Sequence, residues 1–210
     1  MKLYAHPRSG SNWALALLAQ AFEGRVVLAP ATTGHWSDRS VVMAPRSSIR
    51  GGHAFYRAGL PGPRVYLYRD GRDVAVSLWR TKAFQPVGLR GVDFATFLRT
   101  PLDWKATPGR RCKPRWTIAE HWRRHLDSWL ASDACFVRYE RLLADPDAEL
   151  ARAAELLRLP LSECPTADEG VGPYPSGDYR VAKWRDVFTD ADLAHFFSSV
   201  PCDHWGLYAE

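Results

Sequence analysis

At 210 residues the chain is long enough for one globular domain, and 46% hydrophobic with 24% charged residues excludes a disordered or collagen-like chain. A net charge of +5, carried mostly by arginine, favours an anionic partner such as a nucleotide, phospholipid or sulfated ligand. The basic residues are spread along the chain without a tail or a long run, so a nucleic-acid partner is not expected.

No stretch approaches the about 18 apolar residues that read as a membrane span, and Met1–Pro7 lacks a charged-then-apolar secretory pattern. Cys112, Cys135, Cys164 and Cys202 are scattered without ligand spacing, which predicts reduced thiols and no metal centre. The expected compartment is the cytoplasm.

Lys2–Ala5 has the pattern of a short strand running into a Pro/Gly/Ser turn at Pro7–Ser11, followed by an apolar helix over Asn12–Phe22 that ends near Gly24. Val26–Leu28 suits a second strand, and Pro30–Gly62 is rich enough in Gly, Pro and Ser to be a loop region. Val65–Tyr68 is the strongest strand signal, stopping at Arg69-Asp70-Gly71-Arg72-Asp73, with a helix from about Val74 to Thr81. Arg72 and Asp73 suit a local ion pair or cap. Residues 84–116 carry one short helical pattern around Asp93–Leu98 and are otherwise irregular, a length that often marks a functional loop.

Thr117 and Glu120 have capping-box spacing and open a helix to about Leu130. Cys135–Arg138 is a strand, Asp145-Pro146 starts a helix through Leu157, and Thr189 caps a last helix to about Ser199. No internal repeat is visible. Strands alternating with helices predict a single α/β domain over 1–210, with a mainly parallel central sheet flanked by helices, in which ligands sit beyond the C-terminal strand ends.

Two segments carry chemistry. In Pro7-Arg8-Ser9-Gly10-Ser11-Asn12-Trp13, turn amides converge on the positive end of a helix, small residues allow close approach, and Arg8 adds a guanidinium fork; this is an arrangement for phosphate or sulfate. It lacks the Gly-Lys-Ser/Thr of a Walker A loop. In the second segment Arg69 closes a strand over the same crevice, and Ser77 follows on the next helix, so that both can serve one anion.

Together, Pro-Arg-Ser-Gly-Ser-Asn-Trp and Tyr-Arg-Asp-Gly-Arg-Asp-Val-Ala-Val-Ser resemble the two nucleotide signatures of the sulfotransferases that use 3′-phosphoadenosine-5′-phosphosulfate (PAPS), in that family's order. Thr117–Trp129 is similar to the family's helix with a His-x-x-x-Trp-like pattern. Phe136–Leu142 with Asp145-Pro146 is similar to its strand ending in Tyr-Glu-Asp-Leu. The resemblance implies a P-loop-nucleotide-transferase-like fold, PAPS as donor, 3′,5′-adenosine bisphosphate as product and no metal. It implies Arg8, Ser9, Gly10, Ser11 and Asn12 around the 5′-phosphosulfate, with Arg8 stabilising the leaving oxygen. Arg69 and Ser77 would serve the 3′-phosphate, and Trp13 and Tyr139 the adenine.

The family's third motif, Arg-Lys-Gly-x-x-Gly-Asp-Trp, is altered here. Tyr179–Thr189 keeps Trp184 and the Asp-Val-Phe-Thr that follows but loses the glycines, leaving Arg180 or Lys183 to supply the charge. His53, in Gly51-Gly52-His53, stands where the family keeps its general base, and Arg50 stands near the place of the family's lysine. His35 is the rival base. His121 and His125 lie at i, i+4 on a helix but lack a third ligand, which favours a packing or surface role.

The implied partner is a small-molecule hydroxyl acceptor, with 84–116 lining or covering its pocket and a homodimer left open. A P-loop-type kinase, a non-catalytic nucleotide-binding protein and a nucleic-acid binder are the competing readings.

Overall fold

Lys2–Ala5 (β1) is flanked by two parallel partners, Arg50–Gly52 (β2) on one side and Arg64–Tyr68 (β3) on the other. Leu3 lies opposite Gly51 and Val65. Cys135–Arg138 (β6) joins β3 in parallel, Val65 opposite Cys135, giving the order β2-β1-β3-β6. Parallel neighbours need crossovers, which is why the strands alternate with helices along the chain. The computed structural model describes residues 1–23, 50–81, 89–103, 115–161 and 181–200. Of these, 1–23, 50–69 and 128–161 form one unit and the remainder a second.

In the first unit both faces of the sheet are covered. Leu3, Ala5, Val65, Leu67 and Val137 share a cluster with Trp13, Leu15, Leu17 and Leu18 of Ser11–Glu23 (α1). Residues 13–20 of α1 are all buried, as expected of a helix apolar on every side. Strand alternation turns Tyr4 and Tyr66 to the opposite face, where Trp129 stacks on Tyr66 at 5.1 Å and 15° and lies 4.5 Å from Tyr4.

Two features depart from the sequence reading. The chain turns directly from β6 into a short helix, Tyr139–Ala144 (α5), before Asp145 caps Pro146–Leu157 (α6) by accepting from the Ala148 amide at 3.0 Å. β2 lies inside the expected loop region; its Gly51 and Gly52 carry no side-chain pattern to announce a strand. The expected strand Val26–Leu28 lies outside the described residues.

The second unit is mostly helical. It contains Gly71–Arg80 (α2), Phe94–Arg99 (α3), the residues to Asp127 of Ile118–Leu130 (α4), and Asp190–Ser199 (α7). Leu102–Asp103 (β4) pairs antiparallel with Arg115–Trp116 (β5). Thr117 and Glu120 exchange the two bonds of a capping box, as do Thr189 and Asp192.

Gly71 packs where nothing larger fits, since a Cβ there would stand 2.6 Å from Trp122 and 2.9 Å from Phe196. α2 begins three residues before the sequence reading placed it, because Asp70 caps it by accepting from the Arg72 amide at 2.8 Å. Arg72 also pairs with Asp70 at 2.6 Å, and Asp73 turns elsewhere, so the expected local Arg72–Asp73 pair gives way to Arg72–Asp70.

Candidate functional site

Each strand of the parallel sheet ends at a residue singled out in the sequence. β1 runs into the Pro7–Gly10 turn, His53 follows β2, Arg69 follows β3 and Tyr139 follows β6. Because the strands are parallel, all four exits lie along the C-terminal edge, where open α/β sheets place their ligands. All belong to the first unit.

The turn after β1 has left-handed backbone at two positions. Arg8 takes φ 71° and Gly10 φ 88°, either side of Ser9. A left-handed arginine costs on the order of 1–3 kcal/mol, a strain that tends to be stored at functional positions. Ser9 donates its amide to the His6 carbonyl at 3.2 Å. Its hydroxyl is fully buried and, among the described residues, has no hydrogen-bond partner. α1 starts at Ser11 with no acidic residue in its first turn, so no carboxylate of its own sequence neutralises the helix's positive end. A buried hydroxyl without a partner, beside left-handed backbone and a helix start, fits an anion.

Arg69 and Tyr139 close on this turn. Arg69 is 4% exposed, and its Nη1 donates to the Arg8 carbonyl at 3.4 Å. Its guanidinium lies 4.3 Å over the Tyr139 ring, which meets Trp13 edge-on at 5.8 Å. Tyr139, 2% exposed, also faces Gly10.

His53 is half-buried, and its Nδ1 lies 2.7 Å from the Ala5 carbonyl oxygen. A carbonyl only accepts, so Nδ1 carries the proton and Nε2 is the basic nitrogen. The residues after it are fixed as well. Trp129 Nε1 donates to the Ala54 carbonyl at 3.1 Å, and the Tyr56 amide donates to Ser128 Oγ at 3.1 Å.

The other sequence candidates are dispersed. Ser11 and Asn12 open α1, and Arg50 opens β2. Ser77 lies half-buried on α2 in the second unit. His121 and His125 are buried on α4 with rings 6.3 Å apart. Among the described residues no group of three or more His, Cys, Asp or Glu side chains could hold a metal ion. His35, Arg180, residues 84–88 and residues 104–114 lie outside the described residues.

Asp73, which the sequence suited to a local ion pair or cap, has distant partners. It is fully buried and accepts from the amides of Ala182 and Trp184 at 2.9 and 3.1 Å. Partners so far along the chain leave no local pattern to find.

The family model described as the sulfotransferase domain matches residues 64–170, just over half of the chain, and takes in Arg69, Ser77 and Tyr139. The chain belongs to the sulfotransferase domain family, and sulfuryl transfer is the reaction class of that family. Among solved structures it is similar to mouse sulfotransferase SULT7A1 complexed with PAP, at a TM-score of 0.60 and 17% identity, covering 95% of this chain and 81% of that one. The likeness bears on the fold, an α/β architecture with a parallel sheet flanked by helices. A search of the curated proteins gives no match. Among the described residues no helix is long and apolar enough to cross a membrane.

Proposed function

We propose that the protein transfers the sulfuryl group of PAPS to a hydroxyl of a small-molecule, lipid or glycoside acceptor, releasing 3′,5′-adenosine bisphosphate. The observation that carries this reading is the Pro7–Gly10 turn, where left-handed Arg8 and Gly10 flank the buried Ser9 hydroxyl and Arg69 donates to the Arg8 carbonyl. PAPS requires an anion cradle of this kind at its 5′ end. Arg8, Ser9, Gly10, Ser11 and Asn12 take that role, Arg69, Ser77 and Arg180 serve the 3′-phosphate, and Trp13 and Tyr139 border the adenine. Residues 84–116 line or cover the acceptor pocket.

His53 Nε2 takes the proton of the acceptor hydroxyl as its oxygen bonds to sulfur. The bond from sulfur to the phosphate oxygen breaks in line, and Arg8 neutralises the charge left on that oxygen. Positioning and electrostatics supply most of the acceleration in such transfers. The Nδ1 bond to Ala5 supports this role by keeping Nε2 in the basic form and holding the ring.

Calorimetric titration with 3′,5′-adenosine bisphosphate in EDTA, with 5′-AMP as control, tests the reading. Micromolar binding that depends on the 3′-phosphate is expected. Absent binding, or equal affinity for 5′-AMP, sinks it.

A further inference from the structure

The altered third motif leaves a physical problem that the second unit solves in its own way. Ala182 sits at φ 58°, a left-handed conformation that glycine adopts freely and alanine resists, at the start of a 3-10 turn over Lys183–Asp186. No side chain of the turn caps it. The Asp73 carboxylate does so from α2, with Oδ2 on the Ala182 amide at 2.9 Å and Oδ1 on the Trp184 amide at 3.1 Å.

Arg72, one residue earlier, lies 3.8 Å over the Trp184 ring while holding Asp70, the residue that caps α2. The first turn of α2 therefore grips both the backbone and the indole of a segment more than a hundred residues away in sequence. Lys183, between the two anchored amides, is buried.

We propose that Asp73 is a positioning residue for nucleotide binding. It holds Ala182–Trp184 on α2, the helix that bears Ser77, in the segment that lacks the glycines of the family's Arg-Lys-Gly-x-x-Gly motif. This rests on the nucleotide reading above. The bidentate geometry explains why the loop tolerates alanine at a left-handed position. A charged acceptor on two amides offsets the strain that a glycine would have avoided.

Asp73→Asn is the test, because it keeps size and replaces one acceptor with an N–H donor that opposes an amide. Affinity for 3′,5′-adenosine bisphosphate falls about tenfold or more, affinity for 5′-AMP is unchanged, and hydrogen exchange at the Ala182 and Trp184 amides accelerates. Adding Ala182→Gly to Asp73→Asn recovers part of the lost affinity for the bisphosphate and leaves affinity for 5′-AMP unchanged. If Asp73→Asn does not fold, Arg72→Ala, which leaves the core intact, is expected to show the same loss for the bisphosphate alone.

Faster exchange with unchanged bisphosphate affinity overturns the proposal, as does an equal loss for both nucleotides. If the unmodified protein makes no distinction between the two nucleotides, the nucleotide reading itself fails and this inference falls with it.

Discussion

The ring of Tyr139 lies against Gly10 so closely that a Cβ on Gly10 would stand 2.6 Å from its Cδ2 atom. Tyr139 cannot swing away easily, since Arg69 covers one face and Trp13 meets it edge-on. Gly10→Ala adds this clash to a left-handed φ of 88°. It is expected to cost about 1–3 kcal/mol of stability and to weaken bisphosphate binding in calorimetry. Combining it with Tyr139→Ala removes the clash, so the two changes should cost less together than their sum.

His53 is expected to separate chemistry from binding. His53→Ala should lower turnover by about 10²-fold or more while bisphosphate affinity stays within a few-fold. Steady-state rates and calorimetry on the same preparation decide it. If His35→Ala loses turnover and His53→Ala does not, the base is reassigned.

Trp129 steadies the residue next to that histidine. Trp129→Phe removes the donor to the Ala54 carbonyl and some volume from the stack on Tyr66. A loss of about 1–3 kcal/mol in denaturant unfolding is expected, together with a lower kcat at unchanged nucleotide affinity. Ser128→Ala, which removes the acceptor of the Tyr56 amide, should move kcat the same way by less. Unaltered kcat in both variants would show that the segment after His53 needs no such support.

Arg69→Ala should weaken the bisphosphate by about 1.5–3 kcal/mol, the range for a hydrogen bond to a charged group. Arg69→Lys should not restore it, because an ammonium reproduces neither the fork geometry nor the stacking over Tyr139.

Acid should loosen the second unit in two stages. Burial lowers the pKa of His195, helped by the nearby Arg99, so below about pH 6.5 the unfolded chain takes up a proton more readily than the folded one. Burial also pushes the Asp192 carboxyl up, but its bonds to Arg99 and Thr189 outweigh that and hold it below the usual carboxylate value. Its contribution is therefore complete above the ordinary carboxylate range and is lost as pH falls through the lower folded value. Unfolding curves from pH 7 to pH 3 should show both losses. His195→Gln should remove the first and Asp192→Asn the second.

What the sequence disclosed follows from how local each signal is. The Pro7–Ser11 turn, the Thr117 and Thr189 caps and the Val65–Tyr68 strand are set by neighbours within a few positions, and each lies where its pattern placed it. The α/β class followed from alternation alone. β2 escaped because its glycines carry no period, and α5 because a strand leading straight into a helix leaves no turn residue between them. Asp73 was assigned a local partner since only chain folding brings Ala182 and Trp184 to it. The tautomer of His53 likewise depends on Ala5, at the end of a different strand.

The strand order carries a kinetic consequence. β1 is the earliest of the four strands in the chain, yet its Leu3 finds partners only in Gly51 and Val65, and Val65 in turn awaits Cys135. None of these pairings can be made by a hairpin, so each waits for a long loop to close, the regime of slow folding. During synthesis, β1 and the apolar α1 emerge well before the strands that cover them. That stretch is the one most prone to associate with the wrong neighbour before the remaining strands arrive. Refolding yield should therefore fall steeply with protein concentration.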